Sequence, residues 1–333
     1  MLHIFHHNDA DGYAAGYLVY KHYKNLGIKD NQYKYHEMNY NKDFPLQQIQ
    51  PEDIVYIVDF SIDPNIMIEL LKITKNVIWI DHHISAIDKY KDWWNLIEIA
   101  TGEDYIEGLR LNGISGCALT WLFLNQNWTQ LHKDSRNNEK DFYNELMYDL
   151  DLAPIWIQLV NDWDVWNHYI PETKPFMIAL SNKLSMEEMS KLDQDSYEDT
   201  PIGKCQIGDL ERCKYIQELI NIGFHYIEYR DNWTERLREN YGFVTDITDL
   251  QNNHRTMYVL NVGNANSEFF GNLIDKYDII TSFCFNGNKF VYSMYSNKDY
   301  INCAELCKYY GVDNGGGHKG AAGFTHKDLL WTK

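Results

Sequence analysis

Two short apolar runs early in the chain each deliver a carboxylate at their carboxyl end. Ile54–Phe60 (IVYIVDF) carries Asp59, and Val77–Asp81 (VIWID) closes on Asp81. Both are short for core helices and rich in β-branched residues, and Pro51 and Pro64 bracket the first, so they read as buried strands. Leu2–His6 is a third such strand, while Tyr13–Lys24 and Pro64–Thr74 carry helical patterns. Strands separated by single helices imply βαβ crossovers and a parallel sheet covered on both faces, hence an α/β fold. Ser115–Leu124 and Ile155–Asn161 read as further buried helices.

At 333 residues the chain is long for one domain and comfortable for two. The sequence divides into an α/β domain over 1–184, an acidic insertion and helical linker over 185–250, and a smaller α/β domain over 251–333. The insertion is the polar stretch Ser185–Gly203, and the linker helix spans Gln206–Tyr241. Beyond it, strands are predicted over Thr256–Val262, Ile279–Phe285 and Lys289–Tyr295, the last two joined by the turn Asn286-Gly287-Asn288. A helix over Cys303–Tyr310 follows. No run of about 18 apolar residues is present, so no membrane-spanning helix is expected. The start MLHIFHHNDADG has no basic segment leading into an apolar one, and the expected location is cytoplasmic.

Lys and Arg total 30 against 48 Asp and Glu, a formal charge of −18. That argues against a surface that grips long duplexes, which works by neutralising phosphates. It leaves room for a small phosphate-bearing ligand held by a local site or by cations. Cys117, Cys205, Cys213, Cys284, Cys303 and Cys307 form no CxxC pair, so the thiols read as buried and reduced rather than as a zinc site.

The chemistry-bearing residues cluster at the ends of these elements. His6-His7-Asn8-Asp9-Ala10-Asp11-Gly12 follows the first strand, Asp59 the second, and Asp81-His82-His83 the third. Asp162 closes the apolar run IWIQLVN, with Asp164 close behind as the alternative. In open α/β sheets ligands bind beyond the carboxyl ends of the strands. Carboxylates gathered there would repel one another unless a cation neutralised them. Oxygen and imidazole donors suit Mn²⁺ or Mg²⁺, with enough of them for two ions sharing one carboxylate. Such a pair can activate water for in-line phosphoryl displacement. Near the C-terminus, Gly316, Gly317, His318 and Lys319 lie in a glycine cluster that returns at once to apolar character. It reads as an anion cradle of backbone amides with two cationic side chains. Ser115-Gly116, opening a helix, presents amides to a phosphate or serves as a plain cap. Trp163 and Trp166 either stack on a base or belong to the core.

HNDADG, VDFS, IDHH, Asp162 and GGGHKGAAGF together resemble the DHH phosphoesterase superfamily with its DHH-associated C-terminal domain, in order along the whole chain. Within it, a His two residues before the first Asp is most similar to the oligoribonuclease (nano-RNase) and RecJ-like branch. The resemblance implies a catalytic DHH domain, a helical linker and a substrate-binding domain. It implies that His7 and Asp9 bind one metal ion, that Asp11, His82 and Asp162 bind a second, and that Asp59 bridges the two. Asp81 would orient His82, and His83 would face the scissile phosphate. Gly316, Gly317 and His318 would hold a substrate phosphate or a terminal nucleotide. The chain departs from the family pattern at Ser293-Met294-Tyr295-Ser296, where Tyr295 stands in place of a phosphate-clamping Arg and either stacks on a base or packs.

The resulting expectation is a two-metal phosphodiesterase, Mn²⁺ preferred, that hydrolyses short single-stranded oligonucleotides to mononucleotides without a covalent intermediate. Long duplexes and membranes are not expected partners, and a homodimer is left open. Alternatives are hydrolysis of a signalling dinucleotide or a nucleoside bisphosphate, and, in another class, a non-catalytic nucleotide sensor.

Overall fold

A computed structural model describes residues 1–39, 42–125, 139–196, 207–311 and 314–332. The chain divides into two compact units, Met1–Tyr226 and Ile227–Lys333. Among the described residues, no helix is long and apolar enough to cross a membrane.

In the first unit, β1 (Leu2–His7) leads into α1 (Ala10–Asn25), followed by β2 (Tyr33–Met38), β3 (Ile54–Val58), α2 (Pro64–Ile73) and β4 (Val77–Ile80). The strands form one parallel sheet in the order β2-β1-β3-β4. Side chains alternate across it. Leu2, Ile4, Val58 and Ile80 enter one core, while Phe5, Val55, Ile57 and Trp79 enter the other. A sheet buried on both faces reads as unbroken apolar runs, which is how IVYIV and VIWI look in the sequence. β2 was not visible there: YKYHEM lies at the sheet edge, half exposed, and lacks the apolar run of an interior strand.

The helices α3 (Ile84–Lys91), α4 (Trp94–Thr101), α5 (Gly116–Asn125), α6 (Glu139–Leu150), α7 (Ile155–Asp164), α8 (Thr173–Leu180) and α9 (Met186–Asp195) complete the unit. α5 is apolar nearly all round, as a helix buried in a core must be, while α7 is buried from Ile155 to Asp162 with its polar residues included. α9 falls in the stretch read from the sequence as an insertion. It is a packed helix, capped by Ser185, with Met189 and Leu192 in the core. Its Asp193 takes an ion pair from Lys21 at 2.5 Å and a hydrogen bond from Tyr17 at 3.2 Å, both from α1. The composition misled because four buried positions, two of them acidic, suffice to dock a helix whose other faces are polar. Residues 197–203 of that stretch lie outside the described residues.

The division between units falls within α10 (Lys214–Tyr241). The second unit has a mixed sheet of β5 (Gly242–Thr248), β6 (His254–Asn261), β7 (Ile279–Phe285) and β8 (Phe290–Tyr295), with a short α11 (Leu273–Lys276) before β7. After α12 (Cys303–Gly311) come β9 (Gly316–Gly317) and β10 (Ala321–His326), and the strand order is β5-β6-β7-β8-β10-β9. The chain is thus an α/β protein with a parallel-sheet N-terminal domain and a smaller C-terminal α/β unit. β5 lies within the stretch read as linker and pairs along its whole length with β6. The β7–β8 hairpin closes at Asn286–Lys289 with Gly287 at φ +94°, as an Asn-Gly turn requires.

Candidate metal centre

The topology brings the acidic clusters together. β1 is followed by β2 on one side and β3 on the other, so the chain reverses its winding between β1 and β3, the position where parallel sheets open a crevice. Register does the rest: His6 pairs with Val58, and Val58 with Ile80. The next residues, His7, Asp59 and Asp81, therefore stand side by side along one sheet edge.

Asp59 is the centre of the arrangement. It is 1% exposed and adopts a left-handed backbone at φ +53°, a costly conformation for a residue with a side chain. Three sets of candidate ligands surround it, the donor atoms within each lying within 4.8 Å of one another: His7, Asp9 and Asp59; Asp59, His82 and His83; and Asp11, His82 and Asp164. Two sets share Asp59 and two share His82. His82 Nε2 lies 3.1 Å from Asp59 Oδ1, 3.2 Å from Asp164 Oδ2 and 3.7 Å from Asp11 Oδ2. His7 Nδ1 is 2.5 Å from Asp9 and 4.0 Å from Asp59.

These residues fit a divalent-metal site. Both carboxylate oxygens of Asp59, and Oδ2 of Asp164, are buried and accept no hydrogen bond. A buried carboxylate left so is costly unless a cation or proton satisfies it. Burial and the neighbouring Asp11 carboxylate raise Asp59 well above the usual carboxylate range, and the same causes push Asp164 up to about 8. Burial lowers His82, favouring the neutral imidazole that a metal ligand must be. For Asp9, burial works upward, but the hydrogen bonds from His7 and the Gly12 amide outweigh it and hold the carboxylate low. Cys117 beside Asp11 stays a thiol, because burial pushes it far up, leaving an oxygen and nitrogen donor set.

The structure differs from the sequence expectation at Asp162 and Asp81, and it selects one of two open readings at Ser115 and Tyr295. Asp162 does not join the cluster. Its carboxylate accepts from Tyr169 N at 2.8 Å, Ile170 N at 3.2 Å and Thr173 Oγ1 at 2.6 Å, and Asp164 stands in its place. Residues two apart on a helix point about 200° apart, so only one of the pair could face the sheet edge. Asp81 holds His83 rather than the His82 ring: its Oδ1 lies 2.7 Å from His83 Nδ1 and accepts the backbone N–H of both histidines, while Oδ2 accepts from Ser61. That bond raises the His83 pKa. Ser115 is fully buried. Its hydroxyl caps α5 by accepting from Ala118 N, and the Gly116 and Cys117 amides donate to Asp11 at 2.6 and 2.8 Å rather than facing a ligand. Tyr295 packs: its hydroxyl donates to Ala265 O at 3.0 Å, and its ring centroid lies 6.4 Å from that of Phe270.

In the second unit, Gly317 has φ +143°, and a Cβ there would lie 2.6 Å from Ala321 O. Only glycine can make this turn into β10. His318 and Lys319 at its tip are exposed, and the His318 amide donates to Ala321 O. Gly116, read from the sequence only for its amide at a helix start, has a second role: a Cβ there would lie 2.5 Å from the Asp59 Cβ. The signal was present as a glycine opening a helix, but its meaning needed the contact.

Residues 1–150 match the DHH family, N-terminal domain. They form a DHH-family N-terminal domain. No curated protein sequence matches the chain. Among solved structures, the chain is similar to the pGpG-specific phosphodiesterase PggH from Vibrio cholerae, at 12% identity over 98% of this chain and 92% of that one, with a TM-score of 0.47. It is also similar to RecJ in complex with Mn²⁺ from Thermus thermophilus, at 16% identity over 97% of this chain and 49% of that one, TM-score 0.38. An uncharacterized protein from Helicobacter pylori G27 is similar at 14% identity over 100% and 95% of the two chains, TM-score 0.38.

The raised carboxylates of the DHH-family domain make a pH prediction. In the metal-free folded protein, Asp59 and Asp164 hold protons that the unfolded chain has already lost, so stability falls as pH rises toward about 8 for Asp164. Burial lowers His3, His6, His36 and His82 and works oppositely, but only below their ordinary value near 6.5. From about pH 6.5 to about pH 8, metal-free stability should therefore drop by up to ~1.4 kcal/mol per pH unit for each proton retained. Thermal unfolding with a chelator checks the sign. Titration with Mn²⁺ in two buffers of different ionisation enthalpy should reveal proton release on binding.

Proposed function

We propose that the chain is a metal-dependent phosphodiesterase that hydrolyses short single-stranded oligonucleotides to mononucleotides. The observation that carries this reading is the sharing of Asp59 and His82 among three adjacent ligand sets, the arrangement that two ions about 3.5–4 Å apart would need. His7, Asp9 and Asp59 would hold one ion, and Asp11, Asp59, His82 and Asp164 the other. Bound divalent ions, with Mn²⁺ preferred for this donor set, would supply an activated water and neutralise phosphoryl charge.

The protein's own residues do the positioning. Asp59, buried and accepting no hydrogen bond, draws both sides of the centre together. Asp81 fixes the His83 ring through Nδ1 and leaves Nε2 to donate to a phosphate or leaving oxygen; its raised pKa favours the donating form. Gly316, Gly317, His318 and Lys319 would take a terminal phosphate through amides and charge. A surplus of 18 negative charges supports a short substrate over a long one, since long strands need an extended basic groove.

A time course with 5′-labelled RNA and DNA of two to about 25 nucleotides, with Mn²⁺ or chelator, tests the reading. Metal-dependent loss of the shortest RNAs is expected. Survival of every oligomer in Mn²⁺ would overturn it.

A further inference from the structure

We propose that this centre lies between two nucleoside subsites, one on each face of the parallel sheet, which hold the two nucleosides that flank the scissile phosphate. This rests on the phosphodiesterase reading and adds where the two arms of the substrate go.

The first subsite is a cavity of about 650 Å³ beyond the ends of β2 and β3, lined by Phe44, Phe60, Ile62, Ile66, Ala86 and Tyr90. Sites for small organic ligands run ~300–1,000 Å³ and are mostly apolar with a few polar groups. It adjoins the metal centre directly. Phe60 follows Asp59 and lies parallel to the His7 ring at 6.5 Å between centroids, and Ser61, also in the lining, donates to Asp81. Its two lysines have acceptors already: Lys89 pairs with Asp63 at 2.7 Å, and Lys42 donates to Glu37 O at 3.2 Å. A mixed lining, in which Asp43 and Asp63 balance the two lysines, suits an uncharged heteroaromatic base better than a phosphate.

The second subsite is the loop that follows α7, two residues beyond Asp164. Trp166 is 79% exposed and Tyr169 82% exposed, unusual for rings of that size. Trp166 lies nearly parallel to Trp163, at 6.3 Å and 20°, and His168 stands edge-on to both. The loop is built, not slack. Trp166 and His168 both adopt left-handed backbones, at φ +57° and +51°, a conformation with a steric penalty for non-glycine residues. Asp162 holds them there: its carbonyl accepts from Asn167 N and His168 N, and its carboxylate from Tyr169 N, Ile170 N and Thr173. A strained loop nailed in place to expose an indole beside a metal-ligand residue is the construction of a stacking platform.

The two places lie on opposite sides of the sheet. Phe60, Ile62 and Tyr90 belong to the core that contains Phe5 and Trp79, whereas Trp163 packs on the core that contains Ile4 and Ile80. The carboxylates at the sheet edge stand between them. A phosphodiester has one nucleoside on each side of phosphorus, and this layout supplies one holding place for each.

Three variants of the full-length protein test the proposal: Ile66→Trp and Ala86→Trp, which fill the cavity from α2 and α3, and Trp166→Ala, which removes the platform. With a 5′-phosphorylated RNA dinucleotide and Mn²⁺, each should raise KM roughly tenfold, with a smaller effect on kcat. Combining a cavity variant with Trp166→Ala should give roughly a hundredfold, because separate sites add in free energy. Binding of adenosine to the metal-free protein, followed by ligand-observed NMR, should weaken in the same variants. If wild type cleaves the dinucleotide and its KM is unmoved within about twofold by folded cavity and platform variants, the subsites are overturned and the phosphodiesterase reading stands. If wild type binds adenosine, the variants lose it, and no dinucleotide is cleaved, the subsites stand and the phosphodiesterase reading falls.

Discussion

Asp59→Asn is expected to abolish metal-dependent turnover while making the metal-free protein more stable. The carboxylate is buried without a hydrogen bond, raised by burial and by Asp11, Asp9 and Asp164, and forced into a left-handed backbone. Asparagine keeps the shape and the tolerance for that backbone but removes the charge. Without metal, removing the cost of keeping a proton on Asp59 should stabilise the fold by about 1–3 kcal/mol, more at pH 8 than at pH 6.5, because the unfolded carboxylate is ionised while the folded one retains its proton as pH rises. With metal the order should invert. Wild type gains RT ln(1 + [L]/Kd) from bound ions, and the variant loses most of it. Loss of turnover should exceed the ~10–100-fold typical of losing a partner that only orients a ligand. Thermal unfolding of both proteins with chelator and with Mn²⁺, at two pH values, reads out the crossing. A variant less stable than wild type without metal would mean that Asp59 is a structural carboxylate with a partner in solution.

Asp162→Ala and Asp164→Ala, two residues apart, should fail in opposite ways. Asp162 accepts three hydrogen bonds through a buried carboxylate and two more through its carbonyl. Removing the carboxylate strands buried donors, at a cost of roughly 3 kcal/mol. In a unit of this size that is a fall of about 6–12 °C in Tm. Mn²⁺ affinity should fall mainly through the loosened loop. Asp164→Ala removes a group whose Oδ2 is unsatisfied and faces His82 at 3.2 Å. It should leave metal-free stability unchanged or improved, and weaken Mn²⁺ binding by more than tenfold. Calorimetric titration beside thermal unfolding separates the two. If Asp162→Ala lost metal with unchanged Tm, the assignment of the two residues would be reversed.

Much of the N-terminal fold was legible because its signals are local. IVYIVDF and VIWID are apolar throughout, as strands buried on both faces must be, and a carboxylate closing such a strand can only point to the sheet edge. The edge strand β2 and the docked helix α9 were not legible, because each contributes few buried side chains and a polar composition hides them. In the centre, His7, Asp9, Asp11, Asp59 and His82 were read from strand ends and motif order, and the structure gathers all five. At Ser115 and Tyr295 two readings stood open, a ligand contact or a structural role; the structure spends the Ser115 hydroxyl on a helix cap and the Tyr295 hydroxyl on a main-chain carbonyl.

What the amino-acid sequence determined by itself was the kind of chemistry: strands that end in carboxylates and imidazoles, too many to coexist without cations. Which residues meet was decided only in three dimensions. The strand order β2-β1-β3-β4 sets His7 beside Asp59, and Asp59 beside Asp81. The rotation of α7 turns Asp164 inward and leaves Asp162 to build the following loop. The close approach of Gly116 to Asp59 explains a glycine that no local pattern could. The reason is physical: burial and hydrogen bonding within an element repeat with a short period and can be read along the chain, whereas the choice between two acids within one turn depends on packing against partners distant in sequence.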